Sequence, residues 1–465
     1  MSTASLAPTQ SNTAEMMSCT VIITRRGLAE LLLIKKELDG FALPQVTVPR
    51  GERMAPHLVS QVKACLDVEA ICLFSGENDQ AGNGASRFCV LEGSETNGPP
   101  VDSLTWVSID NANCESVTSE ADRAALRSAI PSAQGYNSGA RSGQFARSGW
   151  FGELTSWIEA QLLQHRLKLG KCWTQYNMGP EFCLLRLETN GPALWFKAVG
   201  EPNLKEYAIT NTLARLQSPH VPEIIATHSV WHGWLMREAH GCHLDETSDP
   251  EHWKRVASSL AELQVASISM SGDLLAAGCK DLRPMQLANS IGPLLDIIRE
   301  LMAAQTANPP RALTANELRQ LDAHLRAACE SLQSVGIPDA LGQTDFNPGN
   351  VLVNNEGASF LDWAEASIGN PFFTLEYLVA LCQRLRPNGE AWANSIRDAY
   401  LLPWRAEYSD EQLRRAFRWT PVVAMFAFTV GCPGWQAGSG RIHPNVQKLL
   451  RSVARRMYAK TQSPA

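Results

Sequence analysis

The chain has no long hydrophobic run, no excess of basic charge and no paired-cysteine motif. Each shortage removes a class of protein. The longest apolar run, Pro421 to Val430, falls far short of the roughly 20 residues a bilayer-spanning helix needs. No membrane partner is therefore expected. A net charge of −6 argues against bulk nucleic-acid binding, which requires a basic footprint. The 12 cysteines are scattered singly from Cys19 to Cys432, and none forms Cys-x-x-Cys, so neither a zinc ribbon nor a redox pair is suggested. Residues 1–18 are rich in Ser, Thr and Ala without an apolar core or secretory pattern. They read as a loose tail, and the thiols are expected to be reduced in a cytoplasm.

What remains is an ordinary globular balance. The 465 residues are 45% hydrophobic and 19% charged, enough for two or three domains. Residues 19–130 are β-rich. Cys19 to Thr24 and Ala29 to Ile34 flank Arg25-Arg26-Gly27 as a hairpin, Pro44 to Glu52 is extended, and His57 to Leu66 has helical periodicity. Strand-like runs follow at 70–74, 87–91 and 104–108, then a short helix at 119–130. Residues 131–149 place Gly135, Gly139, Gly143 and Gly149 among Ser, Asn and Gln, the composition of a flexible linker.

An amphipathic helix restarts at Trp150. A second β-rich stretch begins near Cys172, with a hairpin turn at Thr189-Asn190-Gly191-Pro192. Lys197 ends an apolar strand. A helix starting at Glu201-Pro202 follows, with Glu206, Ile209, Leu213 and Leu216 on one face. A strand-end Lys with a helix Glu is the pair that nucleotide kinases use to hold the α- and β-phosphates. His228, His232, His240 and His243 lie across the hairpin-like Trp231-His232-Gly233-Trp234, and are read as structural rather than as metal ligands. From His252 onward the apolar spacing is helical.

One stretch stands apart from that helical pattern. Leu341-Gly342-Gln343-Thr344-Asp345-Phe346-Asn347-Pro348-Gly349-Asn350 is a polar loop. A strand, a turn at Asn354-Asn355-Glu356-Gly357 and a second strand follow, ending in Asp362-Trp363. A hairpin there brings Asp345 and Asn350 near Asp362. Two carboxylates and an amide make a hard oxygen site of the kind Mg²⁺ prefers. Phosphoryl transfer needs those parts: an acid to orient the attacking hydroxyl, and an amide and a second acid to hold metal against the phosphates.

In Asp345, Pro348-Gly349-Asn350, Leu361-Asp362-Trp363 and Gly369-Asn370-Pro371 the sequence resembles the aminoglycoside phosphotransferase and choline kinase group. These are small-molecule relatives of the protein kinases. The resemblance implies an α+β, bilobal kinase-like domain over 150–465, with a small lobe at about 170–240 and a helical large lobe at about 241–465. It implies Asp345 as the catalytic acid/base, and Asn350 and Asp362 as ligands of Mg²⁺. It implies Lys197 and Glu206 on the phosphates of ATP, and the backbone of Arg237, Glu238 and Ala239 at the adenine. The partner it implies is a small-molecule hydroxyl acceptor, for which Glu376 and Asp398 are candidate contacts.

The chain departs from the pattern at Gln343-Thr344, where the group has His-Gly, and at Asn370 and Thr374, where it has acids. Those departures motivate the alternative of a catalytically inactive, kinase-like nucleotide-binding or regulatory protein. Residues 19–130 are similar in layout to a Nudix hydrolase. The helix at 57–66 lacks the carboxylates such an enzyme needs for metal, so the module reads as degenerate Nudix-like or simply α+β.

Overall fold

The computed structural model describes residues 15–36, 40–78, 86–94, 103–109, 116–344, 346–437 and 442–462. The chain divides into two compact units, Met1–Leu204 with Ile224–Glu238, and Lys205–Glu223 with Ala239–Ala465.

The first unit is built on two sheets. Strands β1 (Met16–Arg25), β2 (Glu30–Lys35), β3 (Phe41–Ala42), β4 (Gln45–Pro49), β5 (Ala70–Asn78), β6 (Ser86–Gly93) and β7 (Leu104–Ser108) form the first. Its order is β3-β2-β1-β6-β5, with β4 on β1 and β7 on β2. Only the β1–β6 pairing is parallel among the described strands of this sheet. Met16–Ser18, expected in the tail, belong to β1 and pair with Pro49, Val48 and Thr47 of β4. Residues 1–14 lie outside the described residues.

The β-branched run Thr20-Val21-Ile22-Ile23 is buried on both faces, and the period-2 alternation of a strand divides it between two cores. Ile22, Leu31, Leu33, Ile71, Leu73 and Val90 enter one. Val21, Ile23, Leu32, Cys72, Cys89 and Leu91 enter the other, closed by α1 (Met54–Leu66) through Ala55, Leu58, Val62 and Leu66.

The first core is covered by α2 (Glu120–Asn137) and α3 (Trp150–Leu162). The stretch 131–149 therefore has fixed structure. It carries the end of α2 and a 3-10 turn at Gln144–Ala146, with Phe145 and Ala146 buried. Its glycines make sharp bends, with φ of 74° at Gly139, 140° at Gly143 and 82° at Gly149. The Phe145 ring packs edge-on against Trp150 at 5.3 Å and Trp231 at 5.9 Å. Glycine here supplies backbone angles rather than freedom.

Strands β8 (Leu169–Gln175), β9 (Cys183–Thr189), β10 (Leu194–Ala198), β11 (Ile224–His228) and β12 (Gly233–Arg237) form the second sheet, in the order β11-β12-β10-β9-β8. Its Leu185, Leu187, Leu194, Phe196 and Leu235 join Ile22, Leu31, Phe74 and Trp150 in a single core. The N-terminal module and this sheet thus share their hydrophobic interior.

The second unit is mainly helical: α4 (Lys205–Ala214), α5 (Pro250–Ser267), α6 (Ser271–Ala276), α7 (Pro284–Ala303), α8 (Ala315–Val335), α9 (Phe372–Leu385), α10 (Gly389–Trp404), α11 (Asp410–Gly431) and α12 (Pro444–Thr461). Two small sheets interrupt it. One is β13 (Cys242–His243) with β16 (Val351–Val353) and β17 (Ala358–Phe360). The other is β14 (Lys280–Leu282) with β18 (Ala366–Gly369) and β15 (Ala340–Gln343).

α4 starts at Lys205 rather than at Glu201, because residues 200–203 close a turn in which Asn203 N–H donates to Gly200 O at 2.8 Å. The apolar run at 421–430 belongs to α11, where Val423, Ala424, Phe426 and Ala427 are buried. Among the described residues no helix is long and apolar enough to cross a membrane. The α+β class expected from the sequence is the class observed, with the large sheets in the first unit and most helices in the second.

Candidate functional site

Asn350 and Asp362 are brought together by the β16–β17 hairpin. Its register pairs Val351 with Phe360, Leu352 with Ser359 and Val353 with Ala358. The turn is closed by Asn354, whose N–H donates to Gly357 O at 3.0 Å and whose Oδ1 accepts from Glu356 N at 2.8 Å and Gly357 N at 3.1 Å. At the open end Leu361 N–H donates to Asn350 O at 2.8 Å. Asn350 thus lies across from the residue that precedes Asp362. Asn350 ends a 3-10 turn, Pro348–Asn350, capped by Asn347 Oδ1 on Gly349 N at 3.0 Å.

Asp362 is exposed and has φ 61° and ψ 81°, an uncommon backbone for a residue other than glycine. Strain of this kind persists where surrounding contacts over-determine it. Here Gln343 Nε2 donates to Asp362 O at 2.5 Å, just before the 3-10 turn Trp363–Glu365.

Asp345 lies outside the described residues. Its two neighbours are anchored to the hairpin and to the turn that follows it. Thr344 donates through N and Oγ1 to Glu365 O, each at 3.1 Å. Phe346 is buried, with its ring 6.3 Å from that of Phe360.

The departures from the family pattern are internal. Gln343, Thr344, Asn370 and Thr374 are all buried. Thr374 Oγ1 accepts from Gln343 N at 3.2 Å, and Asn370 Oδ1 accepts from Phe372 N at 3.1 Å at the start of α9. Both acid-to-neutral replacements therefore serve backbone hydrogen bonds in the interior, where a carboxylate would carry a desolvation penalty.

Glu206 is 2% exposed on α4, and α4 packs against the turn that follows Asp362. In the first unit, Lys197 is half-buried on β10, opposite Leu184 and Trp234. Leu194, Phe196 and Ala198 alternate into the shared core, so Trp195 and Lys197 stand on the other face. The Lys197 ammonium lies 5.6 Å from the Trp234 ring centroid.

Arg237 ends β12, and the boundary between the units falls between Glu238 and Ala239. The Glu238 carboxylate accepts from Arg186 Nε at 2.5 Å, Arg186 Nη2 at 3.0 Å and Trp195 Nε1 at 3.0 Å. Its side chain is thereby committed to bracing the sheet, and its N–H donates to Ala193 O at 3.1 Å.

Several supports gave no signal in the sequence. Lys280, on the three-residue β14, pairs with the Glu365 carboxylate and donates to Gly431 O at 2.7 Å. His220 is buried behind the hairpin, with Nδ1 3.0 Å from Ala358 O and Nε2 2.8 Å from Glu262 Oε2. Gln264 is fully buried. Its Nε2 donates to Leu341 O at 2.9 Å and Pro371 O at 3.0 Å, tying the start of β15 to the start of α9.

Of the histidines set aside as structural, His228 stacks on Trp231 at 4.4 Å, and burial lowers its basicity. Of the acceptor candidates, Glu376 is mostly buried, 3.5 Å from Arg397, and burial raises its pKa. Asp398 is exposed, 4.0 Å from Arg405. The described residues hold no cluster of three His, Cys, Asp or Glu side chains able to bind metal. The Asn350–Asp362 donor set is one amide and one carboxylate, oxygen only. It fits Mg²⁺ that takes the rest of its shell from phosphate and water.

Residues 200–425 match the model of a family described as Phosphotransferase enzyme family. Over these residues the chain is similar to the phosphotransferases of that family. Among solved structures, a macrolide 2'-phosphotransferase of Brachybacterium faecium is similar at 16% identity and a TM-score of 0.39, covering 63% of this chain and 98% of that one. A choline/ethanolamine kinase family protein of Mesorhizobium loti is similar at 15% identity and a TM-score of 0.40, covering 62% and 87%. The choline kinase of Streptococcus pneumoniae is similar at 13% identity and a TM-score of 0.38, covering 66% and 99%. A comparison with curated proteins gave no match.

Proposed function

We propose that the chain transfers the γ-phosphate of ATP, with Mg²⁺, to a hydroxyl of a small molecule. The observation that carries this reading is the hairpin that sets Asn350 beside the residue before Asp362, with Phe346 packed against it and Thr344 fastened to the turn that follows it. In this reading Asp345 aligns the acceptor hydroxyl and takes its proton as the new bond to phosphorus forms. The bond from phosphorus to the β–γ bridging oxygen breaks, and ADP leaves. Asn350 and Asp362 hold Mg²⁺, which when bound offsets the negative charge of the phosphates. Lys197 contributes a compact positive charge to the α- and β-phosphates, and Glu206 sets the position of that lysine. The backbone of Arg237, Glu238 and Ala239 meets the adenine.

The test is an Asp345→Ala variant assayed against a metabolite panel for γ-phosphate transfer, with Mg-ATP binding followed by calorimetry. Binding retained and turnover abolished is the expected result. Equal turnover of the variant on any identified acceptor removes Asp345 from its role. Wild-type protein that binds Mg-ATP and phosphorylates no acceptor is the inactive, nucleotide-binding alternative.

A further inference from the structure

The N-terminal module was expected as a separate domain joined by a flexible linker. In the structure it takes hold of one particular segment of the β8–β12 sheet, residues 176–182, the loop between β8 and β9. Three contacts converge there, and a fourth holds Gln175, the last residue of β8, which leads into it. Gln175 is buried, and its side chain bonds both ways to the backbone of Cys72 on β5, accepting from Cys72 N at 2.8 Å and donating to Cys72 O at 3.0 Å. Phe145 N–H donates to Pro180 O at 3.0 Å. Ser142 Oγ donates to Glu181 Oε1 at 2.7 Å. Met178 packs against the core that holds Cys19, Val21, Leu58 and Cys89.

The approach is close. A Cβ on Gly143 would meet Pro180 Cβ at 2.4 Å, and Gly143 has φ 140°. Only glycine lets the two backbones pass so near. The loop itself has no regular secondary structure; its own sheet holds it at Tyr176, whose N–H donates to Leu184 O at 2.9 Å and whose ring lies 4.8 Å from that of Trp195. Within it Gly179 faces open space, where a Cβ would meet nothing within 4 Å. Asn177 Oδ1 is buried without a hydrogen-bond partner among the described residues.

We propose that the N-terminal module acts in cis as a brace for the 176–182 loop, holding it ordered before nucleotide arrives, so that the module sets the affinity for Mg-ATP. The proposal rests on the nucleotide-binding reading above, to which it adds that Asn177-Met178-Gly179-Pro180, ahead of β9 and Lys197, serves as the cover of the phosphates. A loop already ordered loses less conformational entropy on binding, and releasing it lowers affinity by that difference.

The test compares full-length wild type with Gly143→Ala, which wedges a methyl group against Pro180, and with Ser142→Ala, which removes one surface hydrogen bond. Amide hydrogen exchange is read at 176–182 and, as an internal control, in β9 and β10. Mg-ATP binding is read by calorimetry. Gly143→Ala is expected to speed exchange at 176–182 while β9 and β10 stay protected, and to raise the Kd about five- to tenfold. Ser142→Ala is expected to move both readouts the same way, by about twofold. Unchanged loop exchange in folded variants overturns the brace, and faster exchange with an unchanged Kd overturns its link to nucleotide. If Gly143→Ala does not fold, Ser142→Ala decides between these outcomes. A wild type that binds no Mg-ATP defeats the nucleotide-binding reading itself, and with it the affinity claim, while the exchange data still decide whether the module orders the loop.

Discussion

Gln343 Nε2 donates to the main-chain oxygen of Asp362 at 2.5 Å, where the backbone takes a left-handed turn. A neutral amide thus holds the segment that presents the expected metal ligand. The amide has no charge to lose, and its second contact, to Leu361 O at 3.4 Å, lies along the same strand end. Replacing it with Gln343→Ala removes a part-buried hydrogen bond, which costs about 0.5–1.5 kcal/mol. The loss of alignment at Asp362 is expected to lower kcat by about 10–100-fold, with a smaller change in Mg-ATP affinity. Urea denaturation and steady-state kinetics measure the two effects separately. A variant with wild-type kcat would show that the contact is structural only.

Lys280 ties three segments together: Glu365 through its carboxylate, α11 through Gly431 O, and indirectly Thr344, which bonds to Glu365 O. The lysine and glutamate side chains are 22% and 35% exposed, so solvent weakens the ion pair without removing it. Lys280→Met is expected to lower stability by about 1–2 kcal/mol and to reduce kcat more than it raises the KM for ATP. Lys280→Arg, which keeps the charge, should recover a large part of the rate. An equal loss in both variants would point to packing of the lysine stem instead.

Asp339 precedes β15, and burial pushes its carboxyl up to about 6, with Arg283 opposing and Asp281 adding to the shift. The pKa is raised on folding, so the protonated form is favoured in the folded chain. The contribution is fully present below the unfolded pKa near 4 and is lost as pH rises through 6. Asp339→Asn mimics the neutral form. It should match wild type at pH 4 and exceed it at pH 7.5 by about 1 kcal/mol, allowing for partial solvent screening. Thermal melts across that range check it. A gap independent of pH would assign the effect to hydrogen bonding.

A cut between residues 149 and 150 removes half of a shared interior. The core that holds Leu185, Phe196 and Leu235 would lose Ile22, Leu31 and Phe74, along with the residues of α2 that cover it. A 150–465 fragment is expected to be aggregated or poorly soluble, because burying such side chains contributes about 1.5–3 kcal/mol each. Size-exclusion chromatography gives the answer. A monomeric fragment that melts cooperatively would mean the core of the β8–β12 sheet closes on its own.

The sequence alone carried the local features. The Asn354 to Gly357 turn, the two short strands around it and the order of Asp345, Asn350 and Asp362 were legible because turn chemistry and strand alternation act over a few residues. α9 was legible from its periodicity for the same reason. The tertiary structure decided what distant residues do to one another. Gly135 to Gly149 looked like a linker by composition, yet Phe145 and Trp150 lock that stretch into a core whose other members come from remote parts of the chain, Ile22 and Leu235 among them. Lys280, His220 and Gln264 sit on segments with no distinguishing pattern, and became supports of the site only once the turn at 363–365, β17 and β15 were placed beside them. Hydrogen bonds and buried contacts between remote segments depend on chain closure, and no window of neighbouring residues encodes them.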